Sequence, residues 1–425
     1  MFDWDTYITE TIGIPANEFG ITKLTGGIIN STVRLRLDKP LSEGIAAHDA
    51  SSTQPASSAF PTNAATNATS YVLKFAPAHM PNEPSVPLST ARQAVEARAL
   101  RHLSTDPQLA GALRAADVAV PSLVWHDEER KVLWISDLGE LTTLSDYLRA
   151  QVVDEVVSAL WDGKEGPSPA AIGAKLGTAL ASIHAASINP PPETVAQLTY
   201  RETDVANQLK GYLEVLFTKY ELDTPADAEK LALRMGLDFS PEPRDGLKVW
   251  GMGDLWPGSV LLTTPPSDGM ALVDWEFPYV AHPGAEVGMI LAHVAGHAYE
   301  AVYPASGRTP SAGVAATLRA RSLEFGTALA DAYAARAPEL LSHSFTRAAL
   351  CGYGREVALQ ADFNAEFYSD TGKRATVVEG RSALVAAGEG EEDVDLGRWA
   401  SVAGEEEGVG GGALLLPLLA KVRQA

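Results

Sequence analysis

Cysteine is almost absent. Cys351 is the single one in 425 residues, so no internal disulfide can staple the chain. Long apolar runs are missing too. The segment Ala413 to Ala420 is interrupted by Pro417, far short of the roughly 20 residues a membrane helix needs. Basic residues are scarce: 33 Lys and Arg stand against 54 Asp and Glu, for a net charge of −21. Such a field disfavours nucleic acid and anionic membranes as partners; it is compatible with a cationic small substrate, and equally with no more than a soluble acidic protein. The acidic start Met1-Phe2-Asp3-Trp4-Asp5 has no basic stretch followed by an apolar one. No signal peptide is expected, and a reducing, cytoplasmic setting is the reading.

Several catalytic signatures are also lacking. There is no G-x-x-x-x-G-K-[ST], no G-x-G-x-x-G and no G-x-S-x-G, which removes the usual grounds for a P-loop, a Rossmann site or a serine hydrolase. His293 and His297 have zinc-ligand spacing, but Val294-Ala295-Gly296 lies between them where a metalloprotease carries its glutamate. The pair reads as core packing or a surface pair. His184 reads as a hydrogen-bonded structural histidine.

What is present divides into a strand-rich first third and a helix-rich remainder, an α+β pattern. Hydrophobic residues make up 46% of the chain, enough for a large core in two unequal lobes. Ile21 to Leu24, the turn Thr25-Gly26-Gly27 and the alternating Thr32 to Leu37 read as strand, turn, strand. Residues 38–69, rich in Ala, Ser, Thr, Pro and Asn, read as a disordered insertion. Tyr71 to Phe75, Val118 to Pro121 and Val132 to Ile135 read as strands, and a helix is expected from Ser89 to Leu103. Helical patterns follow over 144–157, 170–186, 200–219, 226–237, 286–301 and 314–335. The expected divisions are 1–138, 139–376, and an acidic, Gly-rich flexible tail over 377–425.

The strongest chemical signal is Met252-Gly253-Asp254-Leu255-Trp256-Pro257-Gly258-Ser259, followed by Ala271-Leu272-Val273-Asp274-Trp275-Glu276. Two carboxylates 20 positions apart each sit at the edge of an apolar run. Pro257-Gly258 forces a tight turn that aims Asp254 and Ser259 the same way. Phosphoryl transfer needs such a set: one Asp to orient a hydroxyl, another to hold Mg²⁺ on nucleotide phosphates, and a further ligand five residues after the first. A strand lysine, Lys74, with a helical glutamate, Glu96, can hold the phosphates of that nucleotide. Gly26, Gly27 and Asn30 fit either a phosphate-covering loop or a plain hairpin turn.

These residues resemble the aminoglycoside phosphotransferase/choline kinase-like family of the protein-kinase-like superfamily. The family pattern is H-G-D-x-x-x-x-N, then a strand and an (I/V)-D-(W/F)-E element. The resemblance covers about Ile21 to Ala295, omitting 38–69. It implies a two-lobed fold with a strand-rich N-lobe and a helix-rich C-lobe. It also implies ATP and Mg²⁺ as cofactors, and transfer of phosphate to a hydroxyl on a small metabolite. Asp254 would then be the catalytic base. Asp274 would ligate Mg²⁺, with Ser259 at the second metal position. Lys74 and Glu96 would anchor the phosphates. Ser136 and Leu138 would lie in the lobe-joining segment whose backbone meets adenine. Met252 stands where the family has His, Ser259 where it has Asn, and Glu286 where an Asp braces the loop. The alternative is a weak or inactive pseudokinase that binds nucleotide or a partner. Retention of Lys74, Glu96, Asp254 and Asp274 favours the enzyme; the changes at 252 and 259 favour the alternative.

Overall fold

A computed structural model describes residues 2–24, 29–41, 68–80, 83–149, 167–200, 203–235, 245–263, 269–307, 311–388, 394–397, 399–400 and 412–422. The chain forms two compact units. The first comprises Met1–Asp106, Val120–Glu140 and Val273–Phe277; the second comprises Pro107–Ala119, Leu141–Leu272 and Pro278–Ala425. The architecture is α+β, as the pattern of elements predicts.

The first unit is built on a five-stranded antiparallel sheet. Its strands are β1 (Phe19–Lys23), β2 (Ser31–Leu37), β3 (Ser70–Phe75), β4 (Leu123–Asp127) and β5 (Val132–Ser136). Their order across the sheet is β1, β2, β3, β5, β4. Side chains alternate across a strand. Val33, Leu35 and Leu37 of β2 and Tyr71 and Leu73 of β3 face a core shared with Val124, Val132 and Trp134. The N-terminal segment closes this core through Trp4, Tyr7, Ile8 and Ile12. The Tyr7 hydroxyl accepts from Trp134 Nε1 at 3.1 Å and donates to Asp127 at 3.3 Å.

Period two puts Lys74 on the face opposite Leu73. Against that face lies helix α1 (Ala91–Thr105). Its buried side includes Arg92, Glu96, Leu100 and Leu103, near the three- and four-residue spacing of one helix face. Asp38 to Leu41 and Ala68 to Thr69 are ordered ends of the expected insertion: Leu41 is a core residue, and Leu37 N donates to Thr69 O at 2.7 Å. The 38–69 boundary is therefore too wide, because a lone apolar Leu41 finds room beside β2. Residues 42–67 lie outside the described residues, as do 150–157 of the expected helix that starts at Leu144.

In the second unit the short strand β6 (Val249–Gly251) pairs with β9 (Tyr279–Ala281). The hairpin of β7 (Val260–Thr263) and β8 (Met270–Leu272) is held in register by Val260 opposite Leu272. Around these pack helices α2 (Pro169–Ala186), α3 (Pro283–Val302), α4 (Ala312–Arg336), α5 (His343–Phe363), α6 (Asp370–Ala386) and α7 (Gly412–Val422). Among the described residues no helix is long and apolar enough to cross a membrane.

The expected flexible tail from 377 needs correction. Val377 to Ala386 complete α6, with Val377, Ala383 and Leu384 fully buried. Leu414, Leu415, Leu418 and Leu419 of α7 are buried as well. Their i, i+1, i+4, i+5 spacing makes one apolar helix face. The acidic runs of that tail fall largely outside the described residues.

Candidate functional site

The first unit gathers three of the expected side chains. Lys74 Nζ lies 2.7 and 2.8 Å from the two Glu96 oxygens and 2.5 Å from Asp274 Oδ1. Asp274 therefore meets a lysine 200 residues away in sequence. One helical turn before Glu96, Arg92 Nε donates to Glu276 Oε2 at 3.0 Å. Arg92 of α1 thus holds the Glu276 end of the Asp274-Trp275-Glu276 segment directly, and Glu96 reaches its Asp274 end through Lys74. Arg92 also donates to Asn30 Oδ1 at 3.1 Å, and Asn30 Nδ2 donates to Glu276 Oε1 at 2.9 Å.

Three carboxylates here face two cations, leaving one excess negative charge. Burial alone pulls the Lys74 ammonium down, but Asp274, Glu96 and Glu276 together hold it above its ordinary range. Burial, and then the Asp274 charge, push Glu276 up to about 7. Asp274 has φ of +74°, a left-handed conformation costing a non-glycine residue about 1–3 kcal/mol. Its side chain is 24% exposed, the accessible carboxylate of the three. A hard oxygen in a cluster of net charge −1 fits Mg²⁺. Among the described residues no group of three His, Cys, Asp or Glu side chains could hold a metal alone. The arrangement suits an ion that takes its remaining ligands from phosphates and water.

The second unit carries the other half of the motif. Asp254 stands in the loop between β6 and β7. Glu286, in the first turn of α3, braces that loop: its Oε1 accepts from Met252 N at 2.7 Å and Gly253 N at 3.0 Å. Gly251 permits this approach, since a Cβ there would lie 2.9 Å from Glu286 Oε2. Gly253 supplies the turn with φ of +81°. Behind Glu286 lies His184, whose Nε2 is 2.8 Å from Oε2 while its Nδ1 is 2.8 Å from the Tyr333 hydroxyl. Burial holds the Tyr333 phenol well above its usual range, so its hydroxyl keeps the proton and donates to Nδ1. The loop is thus held through backbone N–H groups, and the residue at 252 needs no polar side chain. Met252 is buried instead.

Ser259 closes the Trp256–Ser259 turn. Its hydroxyl donates to Trp256 O at 2.8 Å and accepts from Trp256 N at 3.1 Å. It is 1% exposed, and one lone pair of its oxygen is left for a metal. Ser136 ends β5, and its Oγ accepts from Ser122 N at 2.9 Å. Leu138 follows it, half-buried. Gly26 and Gly27 lie outside the described residues. His297 sits 3.3 Å from Ser145 Oγ, and His293 accepts from Gln360 at 2.8 Å, consistent with packing.

Removing the brace has a measurable consequence. Glu286→Ala strips two backbone N–H groups of their acceptor. Each unsatisfied buried group costs about 1–3 kcal/mol. The expected loss is about 3 kcal/mol in a denaturant titration. Glu286→Gln retains most of the stability, because its carbonyl still accepts from the loop and His184 can change tautomer. Equal stability of the alanine variant and the parent would refute the brace.

Comparison with known proteins gives the family. The model of the APH family, described as a phosphotransferase enzyme family, matches residues 57–338. The 4-hydroxytryptamine kinase of Psilocybe cyanescens is 23% identical over 297 residues, covering 67% of this chain and 70% of that protein. The 4-hydroxytryptamine kinase of Psilocybe cubensis is 21% identical over 298 residues, with the same coverage of 67% and 70%. Among solved structures, an ethanolamine kinase of Plasmodium vivax aligns with a TM-score of 0.44 at 11% identity, over 91% of this chain and 87% of that one, too weak a likeness to carry an argument. The family model spans well over half of the sequence, and the chain belongs to the phosphotransferase enzyme family.

Proposed function

We propose that this protein is an ATP- and Mg²⁺-dependent kinase that phosphorylates a hydroxyl group of a small metabolite. The observation that carries the reading is Lys74, bound at once to Glu96 and to Asp274. A lysine held between carboxylates is positioned rather than mobile, and its ammonium can meet nucleotide phosphates without reordering. Asp274 would hold Mg²⁺, which would neutralise charge on the phosphates as the γ-phosphoryl group moves. Asp254, on a loop fixed by Glu286, would accept a hydrogen bond from the acceptor hydroxyl and take its proton as the new O–P bond forms. Ser136 and Leu138 would flank the backbone that meets the adenine base.

Charge and kinship support an acceptor class. A net charge of −21 favours cationic substrates, and the relatives named above are kinases of a hydroxytryptamine. Small alcohols and phenols bearing an amine are the first candidates. The test is ADP release from Mg-ATP across such a panel, with the phosphorylated product identified by mass. A product on any member supports the reading; no product on any member, with ATP bound, supports the alternative of a pseudokinase. Ser259 favours that second reading, because its hydroxyl is buried in its own turn with one lone pair left for a metal.

A further inference from the structure

Glu276 is the acidic residue of the motif that has no assigned role, and its two oxygens are both engaged. Oε2 takes the Arg92 Nε hydrogen and Oε1 takes the Asn30 amide hydrogen. The triangle closes because Arg92 also donates to Asn30 Oδ1. The side chains of Arg92 and Glu276 are 0% and 3% exposed. Further Arg92 hydrogens go to Ser89 O at 2.6 Å and Pro77 O at 3.1 Å. The orientation of the Asn30 amide is therefore dictated from both sides. Residues 30, 92 and 276 come from three separate stretches of chain, and only the folded unit brings them together.

We propose that Glu276 is a positioning residue that acts through Arg92 and Asn30, and that it does not ligate the metal. By fixing the segment two residues after Asp274, it holds the strained Asp274 backbone so that its carboxylate meets Lys74. Asn30 belongs to the same triangle. Its place in the site is the anchoring of this segment rather than contact with phosphate.

The triangle permits an exchange of charge as a test. In Glu276→Gln, a donor is left facing a donor whichever way the two amides turn. In Asn30→Asp, two carboxylates face one another. The double variant Asn30→Asp with Glu276→Gln moves the charge across the triangle. The introduced glutamine carbonyl accepts from Arg92, its NH₂ donates to the introduced aspartate, and the net charge is that of the parent. Each single variant is expected to lower the melting midpoint and to weaken Mg-ATP binding by about tenfold. The double variant is expected to regain the parent midpoint and to bind within about threefold of the parent. Where a single variant is insoluble, recovery of folded protein in the double variant is the same restoration.

A double variant as weak as Glu276→Gln alone, with the Mg²⁺ dependence of binding lost, would make Glu276 a metal ligand and overturn the proposal. Singles that melt and bind like the parent would overturn it too. The nucleotide readout rests on the kinase reading above. The melting readout does not, so a parent that binds no Mg-ATP would defeat that reading while the triangle still stood or fell on restoration of the midpoint.

Discussion

Asp254→Asn lowers kcat by about 10²–10⁴-fold, the usual share of general-base assistance, while Mg-ATP binding stays close to that of the parent. Asn keeps the size and a carbonyl acceptor, so the acceptor hydroxyl can still dock, but its proton has no carboxylate to receive it. The loop itself is held by Glu286 through the backbone of Met252 and Gly253, so the substitution leaves the fold in place. Single-turnover kinetics beside a binding titration separate the two quantities. Full turnover in this variant would remove Asp254 from the chemistry.

Asp274→Asn erases the Mg²⁺ dependence of nucleotide binding. Asn tolerates the left-handed φ of +74° better than most non-glycine residues, so the backbone survives and the charge alone is lost. A unit-charge interaction at about 4 Å near a protein surface is about 4 kcal/mol, or roughly 10³-fold in affinity. Without that charge the cluster holds two cations against Glu96 and Glu276. ATP binding in the presence of a chelator should then be unchanged or tighter than in the parent. Calorimetric titrations with Mg²⁺ and with chelator check both signs. If Mg²⁺ strengthens binding to the variant as it does to the parent, Asp274 is not the metal ligand.

The residues that reveal themselves in sequence are those whose local pattern has one physical meaning. Lys74 sits at a period-two position opposite Leu73, and Glu96 lies inside a helical pattern, so a strand–helix pair is readable. The Pro257-Gly258 turn and the apolar run before Asp274 mark the carboxylates. Arg92 is hidden because an arginine four residues before a glutamate reads as a solvent-facing pair on a helix. The bond from Asn30 to Glu276 spans 246 residues, and no local pattern carries such a contact. Tyr333 behind His184 is hidden for the same reason.

Other signals are present but weak. Trp4, Tyr7, Ile8 and Ile12 have helical spacing, yet a run so short at the start of a chain does not announce a core element. In the structure they cover one face of the sheet. Val377 to Ala386 resemble the beginning of a tail because acidic and glycine runs follow them; burial against their neighbours makes them helix. Ser259 shows the opposite limit. Its position in the motif is clear from sequence, but the engagement of its hydroxyl with Trp256 is a matter of turn geometry.

Every catalytic role proposed above depends on nucleotide binding through Lys74 and Asp274 with the help of Mg²⁺. Titration of the intact protein with ATP, with Mg²⁺ and again with chelator, tests it most directly. Saturable binding that Mg²⁺ strengthens is expected, with a Lys74→Ala variant that binds markedly less under both conditions. Absence of ATP binding by the parent with Mg²⁺, or equal binding by parent and Lys74→Ala, would contradict it.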